Sequence, residues 1–112
     1  MNDDERQFLL TAAWMFMRHG RRDRALAVCE ALCEADPRDG IAAIALAELL
    51  LSAGNAERAL DVMRMADFPP ELEHAQAVLE TRALGLAGRT AEARSRWSRY
   101  LEAKKGASRQ WV

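Results

Sequence analysis

The segments His19-Gly20-Arg21-Arg22-Asp23-Arg24-Ala25-Leu26, Ala53-Gly54-Asn55-Ala56-Glu57-Arg58-Ala59-Leu60 and Ala87-Gly88-Arg89-Thr90-Ala91-Glu92-Ala93-Arg94 are three versions of one phrase, spaced 34 residues apart. Gly20, Gly54 and Gly88 keep that interval, and so do Ala25, Ala59 and Ala93 five positions later. Three glycine–alanine pairs in phase make a repeat, not an accident of an alanine-rich chain. Each residue type has a physical reason for its place. The glycine lies where one helix ends and a tight turn begins, a backbone position that tolerates positive φ. The alanine sits where the next helix crosses the first, and a small side chain permits the close approach. Four residues beyond each alanine stand Cys29, Met63 and Trp97, in the position of a large core residue.

A period of 34 is that of the tetratricopeptide (TPR) helix–turn–helix unit. The expected fold is therefore all-α, a right-handed superhelix of three TPR repeats over about 6–39, 40–73 and 74–107. These make a single domain over 1–105, followed by a C-terminal tail, 106–112. The helices are expected near 4–18, 22–35, 40–52, 56–66, 71–86 and 90–104, with Pro37 and Pro69-Pro70 closing repeats one and two. Composition agrees. Of 112 residues 22 are alanine and 14 leucine, while Val, Ile and Thr number nine, too few for a sheet. Leu9, Ala12, Ala13 and Phe16, then Ala43, Leu46, Ala47 and Leu50, fill the core side of the first two A helices. Repeat three departs, with Glu80 and Thr81 at apolar or small positions.

In such a stack the first helix of each repeat lines a concave groove. The frame puts Gln7, Leu10, Trp14 and Met17 there from repeat one, Ile41, Ile44, Glu48 and Leu51 from repeat two, and Val78, Arg82 and Leu86 from repeat three. Gly85 leaves a gap. Glu48 and Arg82 are placed to pair across adjacent A helices. The middle A helix, from Gly40 to Leu51, has one charge in twelve residues. A helix apolar all round is buried all round, and three repeats cover only part of it. Its groove face is then an interaction site for a separate protein, with Trp14 the expected hot spot. The alternatives are a tail carrying Trp111 that folds back into the groove, or homodimerisation. Met15, Met17, Met63 and Met65 read as core filling, Met17 also facing the groove.

The rest of the chain excludes more than it offers. Sixteen basic residues oppose seventeen acidic ones, so no basic surplus points to nucleic acid, and the arginine clusters read as solvated helix faces. No apolar run approaches the roughly 18 residues of a membrane span, and Met1-Asn2-Asp3-Asp4-Glu5 is acidic where a secretory signal is basic. Cys29 and Cys33 share a helix face with nearly parallel Cβ vectors, a poor disulfide geometry, and read as reduced core residues. His19 and His74 fall in different units, as exposed turn or helix-start residues without ligand spacing. No phosphate loop or nucleophile elbow is present. The expectation is no enzyme, no catalytic residue, no metal and no cofactor.

The chain resembles the small TPR chaperones of bacterial type III secretion systems, most closely the Y-type (SctY or YscY family). The resemblance covers about residues 5–105 and is carried by Arg6-Gln7-Phe8-Leu9-Leu10 with Ala13-Trp14, Gly20 with Arg24-Ala25, and Asp36-Pro37. Ala93-Arg94 and Tyr100-Leu101-Glu102-Ala103-Lys104 complete it. It implies a cytoplasmic chaperone, peripheral at the inner-membrane secretion apparatus, that binds a small secreted X-type export component one-to-one. It further implies delivery to the export gate, with no small-molecule substrate. The needle-subunit and translocator chaperones of the same systems are related alternatives, and a generic homodimeric TPR scaffold is another. TPR co-chaperones of the heat-shock proteins hold a peptide carboxylate with Lys, Asn and Arg, whereas this groove places Leu10, Trp14, Ile44 and Val78 there.

Overall fold

A computed structural model describes residues 1–109. Six α-helices follow one another as antiparallel pairs: α1 (Asp3–Arg18) with α2 (Arg22–Ala35), α3 (Gly40–Ser52) with α4 (Ala56–Met65), and α5 (Glu73–Leu86) with α6 (Thr90–Arg109). Each helix packs on the next, and α3 also touches α5 directly. This is a TPR-like helical-repeat stack. A single 3₁₀ turn, Pro70–Leu72, precedes α5. Helix α6 runs past the expected end of repeat three as far as Arg109, so residues 106–109 of the expected tail are helical. The reading in which Trp111 fills the groove falls on residues outside those described.

The three glycines set the pairs. Gly20, Gly54 and Gly88 have φ of +73°, +79° and +79°. At each, the glycine N–H donates to the carbonyl three residues back, and the next N–H donates to the carbonyl five residues back: Arg21 to Phe16, Asn55 to Leu50, Arg89 to Leu84, all at 2.8 Å. This closure satisfies the orphan carbonyls of the helix end with a left-handed residue, and it recurs at the repeat interval. Helix starts are capped in turn. Asn2 accepts from Glu5 N–H, Asp39 from Ala42 N–H and Asn55 from Arg58 N–H.

Gly40 has a different reason. A Cβ there would lie 2.4 Å from the carbonyl oxygen of Asp67 and 3.2 Å from the Phe68 ring. The backbone after α4 passes this close because Asp67 N–H donates to the Arg38 carbonyl at 2.9 Å. Gly54→Ala therefore costs only the positive φ, about 1 kcal/mol. Gly40→Ala must push main chain aside and costs about 2 kcal/mol. Urea unfolding of the two variants separates strain from collision, and equal losses would contradict the assignment.

The core is built of small residues at the crossings and leucines between them. Ala25, Ala59 and Ala93 are all buried, and Cys29 and Met63 beside them are closed off, while Trp97 is half-buried. Helix α3 buries eight of its thirteen residues. The departures of repeat three answer each other. Glu80 takes the place of Leu46, and Arg96 takes the place of Val62; the two pair at 2.6 Å, with Gln76 donating to Glu80 as well. Thr81 has no such answer. It occupies the place of Ala13 and Ala47, and its hydroxyl oxygen is buried without a hydrogen-bond partner among the described residues. Thr81→Ala removes a desolvated hydroxyl and improves helix propensity at the loss of one methyl group, so it stabilises by about 1 kcal/mol. Thermal unfolding reads the sign directly.

Candidate functional site

The A helices α1, α3 and α5 line a concave cleft of about 530 Å³. Met17, Ile41, Ile44, Ala45, Glu48, Ala75, Val78 and Leu79 form its wall, with His74 at one edge. The helix register explains the set. Ile41, Ile44, Ala45 and Glu48 recur at helical spacing on the one side of α3 that neither α2 nor α4 covers. Ile41 remains 49 % exposed in a helix that buries most of its residues. Arg82 donates to Glu48 at 3.3 Å across α3 and α5, on the same face. Both are half-exposed, so the pair adds little stability. Its effect is to neutralise the two charges against one another, which leaves the cleft apolar and without net charge.

The structure brings together Met17, Ile41, Ile44, Glu48 and Val78, with Arg82 joined through its ion pair. It does not bring the other expected residues into the cleft. Leu51 is buried in the core, because α5 packs directly on α3 and closes that end of the helix. Trp14 stands outside the cleft wall, 52 % exposed, with the Arg18 guanidinium 4.7 Å from its ring centre. Leu10 is half-buried and Gln7 exposed, both along α1 beyond the cleft. Leu86 is 64 % exposed at the end of α5. A Cβ built on Gly85 meets nothing, so the gap expected there is open.

Other side chains also differ from expectation. Of the four methionines read as core filling, only Met63 is enclosed; Met15, Met17 and Met65 are exposed. His74 is exposed at the start of α5 but not isolated. Its Nδ1 lies 3.0 Å from the Tyr100 hydroxyl, and its ring is tilted against Tyr100 and set edge-on to Trp97. Sequence reasoning missed this contact, and the only signal was the 26-residue interval between helix A and helix B aromatics of one repeat. Cys29 and Cys33 are free thiols, each pushed up to about 11, in both cases chiefly by burial. Both are protonated and poor nucleophiles at neutral pH.

Among the described residues, no group of three His, Cys, Asp or Glu is placed to hold a metal ion. No described helix is long and apolar enough to cross a membrane. No curated protein matches the chain. The family model for the tetratricopeptide repeat matches residues 16–79, more than half of the sequence. With three glycine-closed helix pairs and a groove on the first helices that the described residues leave open, the chain belongs to the tetratricopeptide-repeat family and is a protein–protein interaction scaffold.

Proposed function

We propose that this scaffold is a non-catalytic chaperone that holds an apolar helical segment of one small partner protein in the concave cleft. The observation that carries the reading is the strip Ile41–Ile44–Ala45 on α3. It faces Met17 and Val78 across a cleft whose only charges, Glu48 and Arg82, already satisfy each other. A terminal carboxylate or a basic tail finds no counter-charge there. An amphipathic helix presenting aliphatic anchors at i, i+3, i+4 and i+7 finds a matching surface. Association is driven by removing apolar area from water at roughly 25 cal/mol per Å², less the cost of ordering the partner.

The resemblance carried by Phe8-Leu9-Leu10, Trp14 and Tyr100-Leu101-Glu102-Ala103-Lys104 supports a narrower reading. The partner is the X-type export component of a type III secretion system, bound one-to-one in the cytoplasm before delivery to the export gate. Burying the client's apolar face would then prevent premature assembly.

The test is size-exclusion chromatography with light scattering on the chain expressed alone, with the X-type protein of its own system, and with the needle subunit. A one-to-one complex with the X-type protein supports the reading. Preference for the needle subunit transfers the client assignment, and indifference to both removes the chaperone role while leaving the scaffold.

A further inference from the structure

The outer side of α1 carries an apolar stripe unlike the corresponding side of the other A helices. Phe8 and Met15 lie two turns apart on it and are 72 % and 44 % exposed. The 34-residue register matches Phe8 to Ala42 and Gln76, and Met15 to Leu49 and Ala83. Ala42, Leu49 and Ala83 are buried and Gln76 is half-buried. In α3 and α5 this stripe is the one that stacks on the preceding pair, since α2 packs on α3 and α4 on α5. On α1 it carries larger side chains, and nothing among the described residues covers it. The far end of the stack is finished differently. There the half-buried Leu26 and buried Leu60 give way to an exposed Arg94, the polar surface a terminal repeat needs.

We infer that two copies of this chain pair through this face, α1 against α1, antiparallel about a two-fold axis between Thr11 and Ala12. A stripe that meets a second copy of itself must be self-complementary, and this one is. The axis sets Phe8 opposite the partner's Met15, an aromatic–thioether contact. The two smallest side chains of the stripe, Thr11 and Ala12, face each other at the crossing. Asp4, in the acidic first turn, comes opposite the partner's His19, beside the basic last turn. Each end of the contact thus brings the acidic first turn against the partner's last turn, where Arg18 carries the positive charge, and the antiparallel helix dipoles align favourably. Head-to-tail stacking of α1 on another copy's α6 would instead set Phe8 and Met15 near Arg94 and leave an open filament. One helix face per copy buries less than about 1,200 Å² in total, so the dimer exchanges with monomer at micromolar concentration. The cleft lies on another side of α1, so a dimer would carry two free clefts, and the inference does not rest on the proposed function.

Sedimentation equilibrium across the micromolar range tests it, with circular dichroism confirming that each variant is folded. Phe8 is exposed, so Phe8→Glu keeps the fold and weakens the dimer at least about tenfold, or 1.4 kcal/mol. Asp4→Arg and His19→Glu each weaken it severalfold, and the double variant recovers it. Within one chain these two residues are about 22 Å apart along the helix, so recovery reports a contact between copies. Ile44→Glu leaves the dimer intact. A wild-type chain that stays monomeric throughout overturns the inference. So do a dimer that survives Phe8→Glu, one lost with Ile44→Glu, a double variant that does not recover, and oligomers that grow with concentration.

Discussion

Asp39→Ala should lower the unfolding free energy by about 3 kcal/mol, the largest loss expected from any single polar side chain here. Its carboxylate does two things at once. It caps α3 by accepting from Ala42 N–H, and it takes a two-pronged contact from Arg6 of α1, at 2.6 and 3.1 Å. The Asp39 side chain is only 7 % exposed. Losing the cap costs about 1 kcal/mol, and losing the charge-assisted contact, with Arg6 left facing a vacated site, costs about 2 kcal/mol more. At roughly 4 °C per kcal/mol for a domain of this size, the midpoint falls by about 12 °C. Asp39→Asn keeps the cap and loses the ion pair, so it should fall between the two. A loss under about 1 kcal/mol for Asp39→Ala would show that α1 and α3 are held by apolar packing alone.

The same contact has a pH signature. The Arg6 guanidinium first, and the Ala42 and Ile41 amides after it, hold the Asp39 carboxyl below its ordinary value. The unfolded chain then binds the proton more readily than the folded one, so stability rises with pH through this window. The contribution is complete above the unfolded carboxylate value of about 3.9 and fades as pH drops through the lower folded value. Glu30, held down mainly by Arg58, titrates in the same sense, so the whole protein weakens in acid. The difference between wild type and Asp39→Asn isolates Asp39. It should be full at pH 7 and shrink towards pH 2 in chemical denaturation; a constant difference would remove the ion pair from the account.

What was legible in the sequence was everything governed by local chemistry at a fixed interval. The glycines, with their positive φ, mark where each pair turns, and the helix limits follow within a few residues at most ends. The cleft was half legible. A helical wheel gives the direction of a side chain but not what lies beyond it. Ile41 and Ile44, expected on the groove side of α3, line the cleft, yet Leu51, one turn past Glu48, lies buried in the core, where α5 packs on α3. Trp14 shares its register with Glu48 and Arg82, but α1 is the first helix of the stack. Its ring stands half-exposed, with the Arg18 guanidinium over it. The Arg6–Asp39 contact spans 33 residues and ties α1 to the cap of α3, so no local pattern announces it. The Glu80–Arg96 exchange could have been found, since both members of one apolar pair change together to opposite charges.

Ile44→Glu should weaken binding of the proposed client at least about 100-fold, or 2.7 kcal/mol, while the free chain keeps its helical circular dichroism and loses only part of the packing that Ile44 makes on the core. Ile44 sits at the middle of the cleft wall and is half-buried in the free protein, so a glutamate there can reach water until a partner arrives. Once an apolar helix closes the cleft, the carboxylate is desolvated with no free cation beside it, because Arg82 is already engaged by Glu48. The larger penalty therefore falls on the complex. Trp14→Ala should cost less, about tenfold, since its ring extends the apolar surface from outside the cleft wall and is stacked by Arg18 on one side. Isothermal titration with the client, read beside the midpoints, separates the two positions. If Trp14→Ala proved the more damaging, the client would be lying along α1 and not in the cleft between α1, α3 and α5. If Ile44→Glu bound like wild type, the cleft would not be the client site.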